Sequence, residues 1–177
     1  MRLFIAVKFD DIRDEIINVR ESLRSQSKKG NFTRDENIHL TLAFLGEVPG
    51  SRITEIENIM EEIDEEPFEL EFNDIGCFKR HSGGDVWWIG CKKNPSLINI
   101  QRKLTEGLRE SGFRIEKRAF KPHLTLGREV IIKDESVFYD KKISMVSSVA
   151  SITLMLSDRV RGKLVYTPLY EKYLWYK

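Results

Sequence analysis

Ile38-His39-Leu40-Thr41-Leu42 returns as Pro122-His123-Leu124-Thr125-Leu126, and the shared His-Leu-Thr-Leu organises the whole chain. The copies lie 84 residues apart (39 to 123), close to half of a 177-residue chain, and they hold two of its three histidines. Each copy has the pattern of a strand. Successive side chains point to opposite faces, so Leu40 and Leu42 share one face and His39 and Thr41 the other. Each copy therefore offers one imidazole and one hydroxyl from the same face of a rigid element.

The flanks alternate between strand and helix signals. Residues 2–9 (RLFIAVKF) form an apolar strand pattern. Ile12, Ile16, Val19 and Leu23 recur at helical spacing, predicting an amphipathic helix over 12–26. Ser27 to Asn31 is a polar, basic break, and 32–37 lead into the first motif strand, which ends at Gly46. Ile53, Ile56, Ile59, Met60 and Ile63 predict a second helix, acidic outside and ended by Pro67. Phe68-Glu69-Leu70-Glu71-Phe72 alternates as a half-buried strand, and 86–91 (VWWIGC) is a second, beyond a turn at 81–85. Asn94-Pro95-Ser96 opens a third helix that Ser111-Gly112 closes. Residues 120–126 are the second motif strand, 129–142 a charged connection, 147–156 a strand, and 164–176 one or two closing strands around Pro168.

Helix 12–26 precedes the first motif and helix 96–110 precedes the second, so the halves share a local plan. The fold class is α+β: two pseudo-symmetric lobes, each an antiparallel sheet with flanking helices, around a central groove faced by both motifs. Residues 1–177 are expected to form this one bilobal domain.

Composition narrows the function classes. Charged residues make up 32% and hydrophobic residues 41%, ordinary for a globular domain. A formal net charge of +1 argues against a globally basic nucleic-acid coat and leaves room for a local basic site. No apolar run reaches the roughly 20 residues that span a bilayer. The opening stretch is interrupted by Lys8 and Asp10, so it reads as a first strand rather than a signal segment, with the cytoplasm as the expected location and no membrane partner. Cys77 and Cys91 read as buried thiols rather than a disulfide.

Two imidazoles facing one groove can serve as general acid and general base, because histidine alone titrates near neutrality without help. Two hydroxyls beside them can donate to an anion. That set suits in-line displacement at phosphorus: one histidine takes a proton from the nucleophile, the other protonates the leaving oxygen, and Thr41 and Thr125 hold phosphate oxygens. Lys121 and Arg128 flank the second motif, and Arg128 is placed to reach a phosphate bidentately. The set calls for no cofactor. As a metal site it is poor, since neither motif contains a carboxylate.

Plainer readings stand beside these. One His-x-Thr alone is usually a structural histidine; the repeat is what changes the weight. His81 reads as a solvated loop residue, and Trp87 and Trp88 as one core and one surface side chain rather than a base-stacking pair, though one of them could line the groove. The basic stretch 114–121 (RIEKRAFK) is either a solvated strand edge or part of an RNA-backbone site.

The chain resembles the two-histidine (2H) phosphoesterase superfamily, and within it the bacterial and archaeal RNA 2′,3′-cyclic phosphodiesterases, also called 2′–5′ RNA ligases. The resemblance rests on 2–9, NIHLTLAFLGEV (37–48), SGF (111–113), FKPHLTLGR (120–128) and the closing SDRVRGKLVYTPLY (157–170). It implies that His39 and His123 are the catalytic pair, that Thr41 and Thr125 bind phosphate, and that Arg128 contacts phosphate or the adjoining ribose. The implied reaction opens an RNA-terminal 2′,3′-cyclic phosphate to a 2′-phosphate without metal or cofactor. His39 is favoured as acid and His123 as base, with the opposite assignment left open. With an RNA 5′-hydroxyl in place of water the same site would make a 2′–5′ linkage. The expected partner is RNA with a cyclic phosphate end, tRNA halves included, and the expected state a monomer. Phe44 and Phe120 are candidates for base contacts. The alternatives are a 2H enzyme for a small cyclic nucleotide, or an RNA-end-binding module without turnover.

Overall fold

The two motif strands lie side by side, joined by one antiparallel pair, Leu40 with Leu124, the equivalent leucines of the two copies. The computed structural model describes residues 1–139 and 141–177. Its strands are β1 (Arg2–Val7), β2 (Ser27–Phe32), β3 (Leu40–Glu47), β4 (Phe68–Phe78), β5 (Asp85–Cys91), β6 (His123–Ile132), β7 (Met145–Val149), β8 (Ser151–Val160) and β9 (Lys163–Tyr173). The helices are α1 (Arg13–Ser25), α2 (Ile53–Glu61), α3 (Pro95–Glu110) and the short α4 (Ser136–Tyr139). All strands join one sheet in the order β7-β4-β5-β6-β3-β1-β8-β9, with β2 added to β6.

That order is symmetric about the β6–β3 seam. β4 to β7 make one lobe, and β1, β3, β8 and β9 the other. The α+β, two-lobed antiparallel architecture expected from the sequence is therefore the observed one. β7 ends at one edge of the sheet and β8 begins in the opposite lobe, with Ala150 alone between them. The sheet must curl to bring those regions together.

Each half lends its helix to the other. α1 packs on β2 and β6, whereas α3 packs on β3 and α2. Ile16 and Leu23 of α1 and Leu97, Ile100, Leu104 and Leu108 of α3 are buried in the same core as Leu40 and Leu124. Asn94 caps α3, its side chain accepting from the Leu97 N–H at 3.0 Å. Leu40 is 0% and Leu124 1% exposed, and together they hold the seam. Leu40→Ala is expected to cost about 2–5 kcal/mol, as truncations of fully buried leucines do. A shifted denaturation midpoint at unchanged slope measures it.

Several local expectations are corrected. The basic break at 27–31 is strand β2. It lacks an apolar alternation because it is held chiefly by backbone pairing to β6, from Phe32 opposite Gly127 to Ser27 opposite Ile132, with register shifts between. The charged connection begins later than expected: Val130 is buried, so β6 runs on to Ile132. Position 140 of that stretch lies outside the described residues. The strand expected at 147–156 is two strands, divided at Ala150. Trp87 and Trp88 are both buried, at 1% and 3% exposure, because both faces of β5 are covered. The stretch 114–121 is an exposed irregular segment rather than a strand edge. Cys77 and Cys91 are free and partly buried. No helix among the described residues is long and apolar enough to cross a membrane.

Candidate active site

The antiparallel Leu40–Leu124 pair sets His39 across from Thr125, and Thr41 across from His123. Since both leucines face the core, all four polar side chains project from the other face of the sheet. The sequence-predicted quartet is thus one constellation, half-buried and drawn from both lobes.

The two histidines are held alike. His39 Nδ1 lies 2.7 Å from the Asn37 carbonyl oxygen, and His123 Nδ1 lies 2.7 Å from that of Lys121. A carbonyl can only accept, so each Nδ1 carries the proton and donates it. In the neutral rings Nε2 is then the bare, basic nitrogen. The Thr41 hydroxyl sits 3.0 Å from His39 Nε2 and donates to it in that state. Burial is the first cause that pushes both pKa values below the ordinary histidine value. The Arg128 charge pushes the same way at both rings, His123 adds to it at His39, and Arg118 and Lys121 add to it at His123. A bound phosphate opposes all of these charge effects, so it favours the protonated ring that a general acid requires.

The supports behind the histidines are aromatic, and of them the sequence reading weighs only Trp88, as one of two tryptophans of which one could line the groove. His39 lies against Phe4 (ring centroids 5.0 Å apart) and edge-on to Tyr166 (5.1 Å). His123 lies edge-on to Phe78 (5.1 Å) and tilted to Trp88 (6.1 Å). Here the two-fold likeness breaks. Ala6 is opposite Thr41 where Trp88 is opposite Thr125. The indole needs a flat bed: a Cβ at Gly76 would come within 2.3 Å of it. Lys121 lays its ammonium over Trp88 at 4.3 Å from the ring centroid, and its carbonyl fixes His123.

The lead-in to the first motif is pinned from several sides. Buried Arg20 donates to the Thr33 carbonyl and to Asp35 Oδ1, each at 2.6 Å. The Thr33 hydroxyl donates to the Thr125 carbonyl at 2.7 Å, tying the approach to His39 onto the strand that carries His123. Arg128 is exposed on β6, opposite Asn31. Of the aromatic residues picked for base contacts, Phe44 is 48% exposed under the Arg2 guanidinium, and Phe120 is packed partly against the core. Among the described residues, neither makes a ring contact with either histidine. His81 is an exposed loop residue, as expected. Among the described residues no three of His, Cys, Asp and Glu cluster as metal ligands would.

A curled antiparallel sheet carrying two opposed His-x-Thr units defines a phosphoesterase of the two-histidine type, and comparison with known proteins agrees. A family model described as LigT-like phosphoesterase matches residues 7–88. The chain is 38% identical over 129 residues to the RNA 2′,3′-cyclic phosphodiesterase of Archaeoglobus fulgidus, covering 72% of each chain. It is 31% identical over 170 residues to that of Escherichia coli, covering 95% of this chain and 93% of the relative. Escherichia coli LigT, crystallised with 3′-AMP, superposes with a TM-score of 0.84 at 30% identity, covering 98% of this chain and 97% of that one. The chain belongs to the LigT-like phosphoesterase family.

Proposed function

We propose that this protein is an RNA 2′,3′-cyclic phosphodiesterase that hydrolyses a terminal cyclic phosphate to a 2′-phosphomonoester. The observation that carries it is the matched pair of histidines, each with Nδ1–H held by a carbonyl and both influenced by one arginine. Such a pair can start a reaction with one ring neutral and the other charged. His123 Nε2 takes a proton from water as the water oxygen bonds to phosphorus. The P–O3′ bond breaks opposite, and O3′ takes the proton from His39 Nε2. Thr41, Thr125 and Arg128 hold the non-bridging oxygens, where negative charge grows. With an RNA 5′-hydroxyl as nucleophile, the product is instead a 2′–5′ linkage. The names of the relatives and the 3′-AMP complex of Escherichia coli LigT support a ribonucleotide end as the substrate. We take the protein to act in the cytoplasm, as a monomer, on ends such as those of tRNA halves.

A short RNA ending in a 2′,3′-cyclic phosphate, incubated with the protein in EDTA, is expected to give the 2′-phosphate. Turnover only after a divalent ion is restored would overturn the two-histidine chemistry. A 3′-phosphate product would overturn the assignment of the leaving oxygen.

A further inference from the structure

We propose that the groove between β2 and the β8–β9 hairpin is the track for the RNA strand lying 5′ of the cyclic phosphate. This rests on the phosphodiesterase reading and adds residues outside the catalytic quartet. A terminal cyclic phosphate uses both the 2′ and the 3′ oxygen of the last ribose. The rest of the strand therefore leaves through that ribose's 5′ oxygen, and it needs a path beside the site.

The groove supplies one. Its volume is about 920 Å³, and Asn37, Tyr166 and Arg128 line it. Asn37 accepts from His39, and Tyr166 packs edge-on against it, so the groove starts at the catalytic centre. Seven cations line it against one carboxylate, Glu129, and Asn31 Nδ2 donates to Glu129 at 2.7 Å. Of these cations, Lys28, Lys29, Arg80, Arg128 and Arg159 have no carboxylate partner among the described residues. On a chain of net charge +1 this is a local concentration, of the kind that follows a phosphate backbone.

A second, independent observation shows what the ligand carries besides phosphate. Asn37 is 4% exposed. Its Nδ2 donates to the Leu164 carbonyl at 3.0 Å, which fixes the amide's orientation. Its Oδ1 is then a buried acceptor without a partner among the described residues. Such an acceptor is costly unless filled, and a phosphate oxygen cannot fill it. A ribose hydroxyl or base amine can. Anion sites beside a waiting acceptor match a ribonucleotide strand better than a polyphosphate. In the other basic segment, Arg118 pairs with Glu116 at 3.1 Å, and Lys121 lies over Trp88.

The test compares wild type with Lys28→Glu/Lys29→Glu and with Arg159→Glu. It measures turnover of a 2′,3′-cyclic mononucleotide and the affinity, across salt, for a short RNA ending in a 2′-phosphate. Mononucleotide turnover is expected to stay at the wild-type level. RNA affinity should fall at least tenfold in the double variant, with a salt slope shallower by about 1.4, from two contacts at about 0.7 each on a single strand. Unchanged RNA affinity and slope, with mononucleotide turnover intact, would overturn the track. Equal competition by DNA of the same sequence or by inorganic polyphosphate would overturn its assignment to RNA. Loss of mononucleotide turnover in a charge variant that keeps wild-type RNA affinity would also overturn it. Charge-dependent RNA binding with no turnover in wild type would leave the track standing and overturn the phosphodiesterase reading instead.

Discussion

Replacing either His39 or His123 by alanine lowers kcat on a cyclic-phosphate RNA end by about 10²–10⁴-fold, the contribution of one positioned proton-transfer group. KM is expected to change far less, because neither ring carries the charge that binds the strand. The two losses should not add in the double variant, since each ring is useful only while the other does its part. The pseudo-symmetric setting of the rings makes alanine variants alone uninformative about which is the acid. A substrate with sulfur in place of the bridging 3′ oxygen separates them. A thiolate leaves without a proton, so it restores rate to the variant lacking the acid and does nothing for the variant lacking the base. Rescue of His39→Ala alone supports the assignment made above; rescue of His123→Ala alone reverses it. Wild-type rates in both variants would remove the histidines from the chemistry altogether.

Arg128→Ala is expected to have two effects of different kind. It removes the cation proposed to hold the phosphate, and losing a charged hydrogen bond of about 1.5–3 kcal/mol lowers kcat/KM by roughly 10–150-fold. It also removes a charge that depresses both histidines. In the proposed mechanism the active form has one ring neutral and one protonated. The rate falls in acid when both are protonated, and in alkali when both are neutral. In the free wild-type protein both rings titrate below their ordinary value, so the kcat/KM bell is centred below about pH 6.5. Without Arg128 both limbs move to higher pH while the maximum drops. A uniform drop with the bell in place would mean that Arg128 binds phosphate without tuning the rings. A profile flat from pH 5 to 8, with chemistry limiting, would exclude acid–base catalysis by histidine.

The histidines and threonines were legible in the sequence because a repeated motif carries its own register. The two copies pair at equivalent leucines, so alternation alone puts the polar side chains together. The two-lobed plan was legible for the same reason. What escaped is what no periodicity reports. β2 reads as a break because Ser27-Lys28-Lys29-Gly30-Asn31 presents no apolar face; its partner, β6, lies far along the chain, Ser27 pairing with Ile132 and Phe32 with Gly127. Lys28, Arg80 and Arg159 come from three distant segments, and only tertiary structure shows that they share a groove. That both tryptophans are buried escaped because room for Trp88 depends on Gly76 across the sheet, not on its own sequence neighbours. Asn37 had no signal at all: its meaning lies in a missing partner.

The junction at Ala150 bears on how the protein is made. β1 lies between β3 and β8, and β8 begins only at Ser151, long after β1 ends at Val7. During translation the lobe that carries His39 therefore waits, with one side of β1 open, until β8 has emerged. The other lobe closes earlier, once β7 pairs with β4. A nascent chain stopped before residue 151 would display an apolar strand edge and no working site, making it a natural client for chaperones. The lobe that carries His39 thus depends on a strand made long after it, although the two halves look alike.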